Sequence, residues 1–276
     1  MLKKIVADPW RGLDFYSPAK DKYSHAVIVG CGAIGSYVAF GLARMGVKKL
    51  TLIDHDIVEA HNIPNQFFAE GNTGLTEGIL KTVLLENTIK YMVRGVEIVT
   101  FPMKWEEIHP SDKDRMGYAS AIVTAVDDMG VRREIFEGEY PKRYCKLLLD
   151  SRTGGMYANV LAIKMSDQEE CAYYSSSLHP NSEAAPLPCS GQAVVDTSMG
   201  VSAELIGRYR ALLMGDYHPA LHSFHDYSTG CSYILQERKK NYAELTANEI
   251  LTDEFAHSVG NTNIGGENAS GNTDNQ

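Results

Sequence analysis

Apolar residues in this chain alternate between two spacings. Short unbroken runs occur at Ala26–Gly30 (AVIVG), Lys49–Asp54 (KLTLID), Val96–Phe101, Ala119–Val126 and Lys146–Asp150, and each has the length of a buried strand. Ile34–Gly46 reads as a helix ending at a glycine, and Ile79–Met92 carries apolar residues at helical spacing. Strands alternating with helices predict a parallel sheet with helices on both faces. The second half is less regular. Ala158–Met165 reads as a strand and Thr197–Met214 as a helix, with Gly215 placed to end it. Gln168–Cys189 is polar and turn-rich, with Pro180, Pro186 and Pro188, and is expected to be a long loop. The stretch from His257 to Gln276 has four glycines, five asparagines and only Val259 and Ile264 as large aliphatics. Such a segment cannot bury enough surface to offset its ordering entropy, so it is expected to be a disordered tail. The expected organisation is one domain over 1–255 and a polar tail over 256–276.

Gly30-Cys31-Gly32-Ala33-Ile34-Gly35 follows the first strand and opens the first helix. Glycines at this spacing permit a tight turn and close backbone approach to phosphates. The helix N-terminus adds unpaired N–H groups and a positive dipole end. Asp54 lies 19 residues beyond Gly35, at the end of the next strand, where a carboxylate accepts hydrogen bonds from a ribose. Taken alone, this fingerprint favours NAD or FAD, and an NAD-dependent oxidoreductase is one reading of it.

Charge and cysteine content narrow the picture. Thirty-five acidic against 26 basic residues leave a net charge of −9. That average argues against a general nucleic-acid binder, which needs clustered cations. No apolar run is long enough to cross a membrane, and no apolar stretch follows Lys3 and Lys4 to make a signal peptide. Five widely spread cysteines suggest free thiols, and hence a cytoplasmic setting.

The residues after Asp54 do not suit a dehydrogenase. They run Asp54-His55-Asp56, then Asn62-Ile63-Pro64-Asn65-Gln66, then Gly78-Ile79-Leu80-Lys81, then Asp127-Asp128 and Arg132 after a further strand. In order and approximate spacing, this series resembles the ThiF/MoeB/HesA family, which includes the adenylation domains of ubiquitin-activating enzymes. A weaker match continues through Asp150–Gly155, Cys189 and the helix Thr197–Met214. The resemblance implies a doubly wound, Rossmann-like, mostly parallel sheet continuing into a more antiparallel C-terminal half. It implies an adenylyltransferase that uses ATP and Mg²⁺ on the C-terminal carboxylate of a small ubiquitin-like or sulfur-carrier protein. A peptide or a modified tRNA base is the alternative substrate within the family, and a scaffold that binds its carrier without turnover is another reading. By resemblance Gly30, Gly32 and Gly35 cradle phosphates, and Asp54 holds the ribose. Asn62, Gln66 and Lys81 contact the phosphates. Asp127 holds magnesium or orients the reacting groups. The resemblance also implies a homodimer.

Three positions depart from the family pattern. Asn65 stands where the family usually has arginine, and asparagine has no charged, bidentate fork. Asp128 replaces the usual asparagine. Many members borrow an arginine from the partner's N-terminal segment, and Arg11 is the only candidate there. Many relatives also bind zinc through two Cys-x-x-Cys pairs. Here only Cys171 of such a pair remains, so no zinc is expected. Cys189 lies before the last helix. It is either a nucleophile that forms a thioester or disulfide with the activated carrier, or a small packing residue. Cys31 is expected to pack within the glycine loop, and Cys145 and Cys231 within the core. His218, His222 and His225 are close together, but they flank Pro219 and an expected loop, and the histidines show no ligand spacing.

Overall fold

The computed structural model describes residues 15–68, 78–180, 194–215 and 219–238. The strands β1 (His25–Val29), β2 (Lys49–Ile53), β3 (Glu97–Phe101), β4 (Ala119–Thr124) and β5 (Cys145–Gly154) run parallel to their neighbours. β6 (Tyr157–Lys164), β7 (His222–Asp226) and β8 (Cys231–Gln236) continue the sheet antiparallel. The order is β3-β2-β1-β4-β5-β6-β7-β8. The expected doubly wound sheet with an antiparallel extension is therefore the fold.

Alternation along each strand splits the core into two layers. Ala26 and Ile28 of β1, with Leu147 and Leu149 of β5, face α1 (Gly35–Met45), α2 (Lys81–Met92) and α7 (Val195–Met214). Val27, Val29 and Leu148 face the other way. They meet α3 (Pro110–Met116), α4 (Met129–Glu137), α5 (Glu139–Tyr144) and α6 (Gln168–Ser176). Burial on both faces explains why the parallel strands read as unbroken apolar runs. Asp21 fastens the entry to β1: its carboxylate accepts from Tyr16, Tyr209, Ser120 and the Ser24 amide.

Two expectations fail. The supposed loop from Gln168 begins with α6, whose N-cap Asp167 accepts from the amides of Glu169 and Glu170. That cap and the single deeply buried Tyr174 make the helix, and neither produces a run of apolar residues at helical spacing. His222 and His225, which flank the expected loop at Pro219, lie in β7. Cys231 is not core: it opens β8, the edge strand, every residue of which is exposed. Residues 239–276 lie outside the described residues, and with them the expected 255/256 boundary.

His25, at the start of β1, is buried between the Tyr118 carbonyl and the Thr51 hydroxyl, 3.0 and 2.9 Å from its ring nitrogens. Burial lowers its pKa to about 4. The unfolded chain takes up this proton near 6.5, so stability falls as pH drops from about 6.5 to about 4 and levels off below. Complete protonation costs about 3 kcal/mol through this residue. Urea midpoints measured between pH 7 and 4.5 should fall less steeply in His25→Gln than in the wild type. An identical slope in the variant would contradict this account.

Candidate nucleotide site

Strand order reverses between β1 and β4, so the loops leaving their C-terminal ends form the crevice where doubly wound sheets take ligands. Gly30 begins the first loop with φ +91°, and a Cβ there would lie 2.4 Å from the Ala125 carbonyl oxygen beyond β4. A Cβ on Gly35 would lie 1.8 Å from the Gly30 oxygen. These two glycines are required by packing alone. Gly32 is different. The nearest atom to a Cβ there is Gln66 Nε2 at 3.9 Å, so the middle glycine opens towards free space. Behind it α1 starts without a side-chain cap and without an acid in its first turn. Its leading N–H groups and positive dipole end remain suited to an anion.

Asp54 is buried at the end of β2. Oδ2 accepts from the Cys31 amide at 2.7 Å and Oδ1 from the Asp56 amide at 2.8 Å. Burial pushes its carboxyl up, while those amides and Lys81 oppose the rise. Each oxygen keeps a lone-pair direction, so the carboxylate can brace the glycine loop and still receive a hydroxyl. Cys31 is fully buried and its thiol is pushed well up by burial, which fits the expected packing role.

Lys81 is 8% exposed, although a lysine opening a helix is usually in solvent. Its ammonium lies 2.7 Å from Asp56 Oδ2, and its charge bears on both Asp54 and Cys31. Backbone pairing sets this position: Lys81 N–H donates to the Asp56 carbonyl, and Ile57 bridges Leu80. Asp54, His55 and Asp56 offer oxygen and nitrogen atoms within 4.8 Å of one another, already engaged by Lys81 and two amides.

Gln66 arrives on a short segment docked to α1. The Phe67 amide donates to Ser36 Oγ at 2.9 Å, and its ring stacks on Phe40 at 4.1 Å. Gln66 Oε1 is buried without a hydrogen-bond partner beside the glycine loop. Asn62 is buried nearby, and its Oδ1 accepts from the Glu59 amide as a local cap.

Asp127 lies exposed just past β4. The N-cap of α4 is its neighbour Asp128, which accepts from the Val131 amide at 3.0 Å, so Asp127 is not used as the cap. Its loop is held from behind by a buried ion network. Arg132 donates to the Val126 carbonyl and to Asp150 Oδ1. Arg152 donates to Asp150 Oδ2 at 2.9 Å and to Ser177 beyond α6. Asp150 also accepts from Thr124 at 2.7 Å. Burial raises its carboxyl, but the two guanidinium groups outweigh that and hold it below its ordinary value. Arg132 was legible only as one letter of a motif, and its pairing from α4 to Asp150 on β5 carries no local signal. Cys189 and Arg11 lie outside the described residues.

A glycine loop, a bracing acid and a buried lysine meeting where strand order reverses define a doubly wound α/β protein with a candidate anion cradle. The ThiF family model matches residues 17–241, and the chain belongs to the ThiF family. It is 28% identical over 134 residues to the tRNA threonylcarbamoyladenosine dehydratase of Haemophilus influenzae, covering 48% of each chain. It is 32% identical over 114 residues to the ubiquitin-like modifier-activating enzyme 5 of Culex quinquefasciatus, covering 39% of this chain and 29% of that one. The matches thus span less than half of either relative. The crystal structure of Escherichia coli MccB with ATP shares the fold at TM-score 0.60 and 16% identity, covering 82% of this chain and 67% of that chain.

Asp150→Asn should cost about 3–5 kcal/mol in chemical denaturation, because it leaves the buried Arg132 and the partly buried Arg152 without their counter-charge. A loss below about 1 kcal/mol, the range of an exposed pair, would show that the network is not the support described.

Proposed function

We propose that this chain is an ATP-dependent adenylyltransferase activating the C-terminal carboxylate of a small ubiquitin-like or sulfur-carrier protein. The observation that carries the reading is the surroundings of the glycine loop: Gly32 is open with Gln66 Nε2 the nearest atom, and the buried Lys81 ammonium acts electrostatically on Cys31 in the same loop. An open glycine, an amide nitrogen beside it that can donate and a buried ammonium suit an adenine nucleotide with its phosphates on the α1 N-terminus. The family match and the relative named as a ubiquitin-like modifier-activating enzyme support the substrate class. An NAD-dependent oxidoreductase has no need of Asn62, Gln66 or Lys81. A peptide or tRNA-base substrate would use the same phosphate cradle and differ in the acceptor.

In this reaction a carboxylate oxygen attacks the α-phosphorus of ATP. The bond to the bridging oxygen breaks, pyrophosphate leaves with its electron pair, and an acyl-adenylate remains. Asp54 would receive the ribose hydroxyls. Lys81 would turn part of its ammonium from Asp56 to the phosphates, with Gln66 beside it. Asn65 supplies no charge where relatives have arginine, so Lys81 bears a larger share. Asp127 would hold Mg²⁺, which when bound neutralises charge on the triphosphate. Arg132 and Asp150 keep the Asp127 loop in place. Cys189 would act after adenylation by attacking the acyl-adenylate, giving a thioester and releasing AMP. A homodimer in which Arg11 reaches the partner's site completes the proposal.

Calorimetric titration should show ATP binding in Mg²⁺ and no comparable binding of NAD. Asp127→Ala should abolish the part of ATP affinity that depends on Mg²⁺. Tight NAD binding without a response to ATP would refute the assignment. With a carrier in hand, Asp127→Ala should slow carboxylate-dependent pyrophosphate exchange by about 10²–10³-fold. Cys189→Ala should leave that exchange intact while removing any reductant-sensitive adduct.

A further inference from the structure

The end of the sheet opposite the glycine loop carries several cations that form no salt bridge among the described residues. Parallel strands place their N-terminal ends there together. Lys22 and Tyr23 precede β1, Tyr118 precedes β4, α5 ends at Tyr144, and Lys146 is the second residue of β5. Lys164 closes β6, which pairs antiparallel with β5 and therefore ends on the same side.

The aromatic rings form one connected group. Tyr23 and Tyr118 stack with centroids 5.1 Å apart and planes 12° from parallel, and Tyr144 meets Tyr118 edge-on at 5.2 Å. Tyr118 is 54% exposed. The Lys22 and Lys146 ammonium groups lie 5.1 and 5.2 Å from the Tyr23 centroid, and the Arg143 guanidinium lies 5.6 Å from that of Tyr144. Lys146 then leads into a cavity of about 450 Å³ shared with Lys142 and Lys164, floored by Leu147, Met165 and Leu212.

Among the described residues, none of Lys22, Lys142, Arg143, Lys146 and Lys164 forms a salt bridge. Lys142 donates only to the Glu137 carbonyl. Lys49 and Arg115, by contrast, pair with Glu97 and Asp112. In a chain of net charge −9, five cations without an ion-pair partner, three of them against tyrosine rings, gather at this end.

We propose that this face binds single-stranded nucleic acid, with the cations on the phosphates and the exposed Tyr118 ring under a base. Interleaved aromatic rings favour a strand over an acidic protein surface, because a base presents a flat face as well as an anion. The surface lies at the far end of the sheet from the glycine loop, so it is independent of the proposed adenylation chemistry. The net-charge argument against nucleic acid holds for the chain as a whole and fails at this face.

Fluorescence anisotropy of a labelled 12-nucleotide oligouridylate, titrated with the full chain, tests the proposal. Binding should saturate and weaken with salt, with a log–log slope of about −3 if most of the five cations meet phosphates. Lys142→Gln/Lys146→Gln/Lys164→Gln should weaken it about tenfold or more, and Tyr118→Ala about fivefold or more, with ATP titration unchanged in both. Oligothymidylate in parallel identifies the sugar: binding of either strand supports the proposal. No binding of either would overturn it. Polyglutamate bound as tightly as the strands, with Tyr118→Ala without effect, would also overturn it and mark the face as a dock for acidic protein.

Discussion

Asp54 is the point on which the candidate site depends. One carboxylate holds the glycine loop through the Cys31 amide and starts the segment after β2 through the Asp56 amide. From that segment, backbone pairing between Asp56–Val58 and Gly78–Lys81 fixes where α2 begins, and so where the Lys81 ammonium sits. The carboxylate is buried and its ionised form is disfavoured by that burial. Two amide donors and the nearby lysine offset part of this cost, which is the usual condition for keeping a charge inside a protein. The arrangement brings together groups from three separate stretches of chain without a disulfide or any other covalent link among them.

A second buried charge system performs the corresponding task on the other side of the crevice. Asp150, Arg132 and Arg152 tie the end of β4, the start of α4 and the end of α6 together. Ion networks of this kind add little net stability compared with apolar packing, but they fix geometry and penalise any single loss heavily. Their placement behind the Asp127 loop suits a need for position more than for stability. Both systems lie at the C-terminal ends of the parallel strands, and the basic, tyrosine-rich face lies at the other end.

Much of this was legible in the sequence because it is local. The glycine loop, Asp54 and the apolar runs of β1, β2 and β4 each lie within a dozen residues, where period and spacing speak directly. What was not legible depends on distant partners. Lys81 is buried because Asp56 lies 25 positions earlier, and nothing beside Lys81 announces that. Asp150 on β5 meets Arg132 on α4, 18 positions earlier. α6 buries only Glu170 and Tyr174, too few for a helical period, and β7 and β8 are histidine-rich or exposed edge strands without the alternation that marks a half-buried sheet. The basic face escaped notice because Lys22, Arg143 and Lys164 are far apart in the chain and converge only when parallel strands align their starts.

The central claim is that the Lys81 ammonium faces the outer phosphates of a nucleotide seated on the glycine loop. Comparing ATP and AMP affinity in the wild type and in Lys81→Gln tests it most directly. The account predicts that the variant loses about tenfold or more in ATP affinity, in line with a charge-assisted contact of about 1.5–3 kcal/mol, and much less in AMP affinity. Equal losses for both nucleotides, or no loss for either, would contradict it.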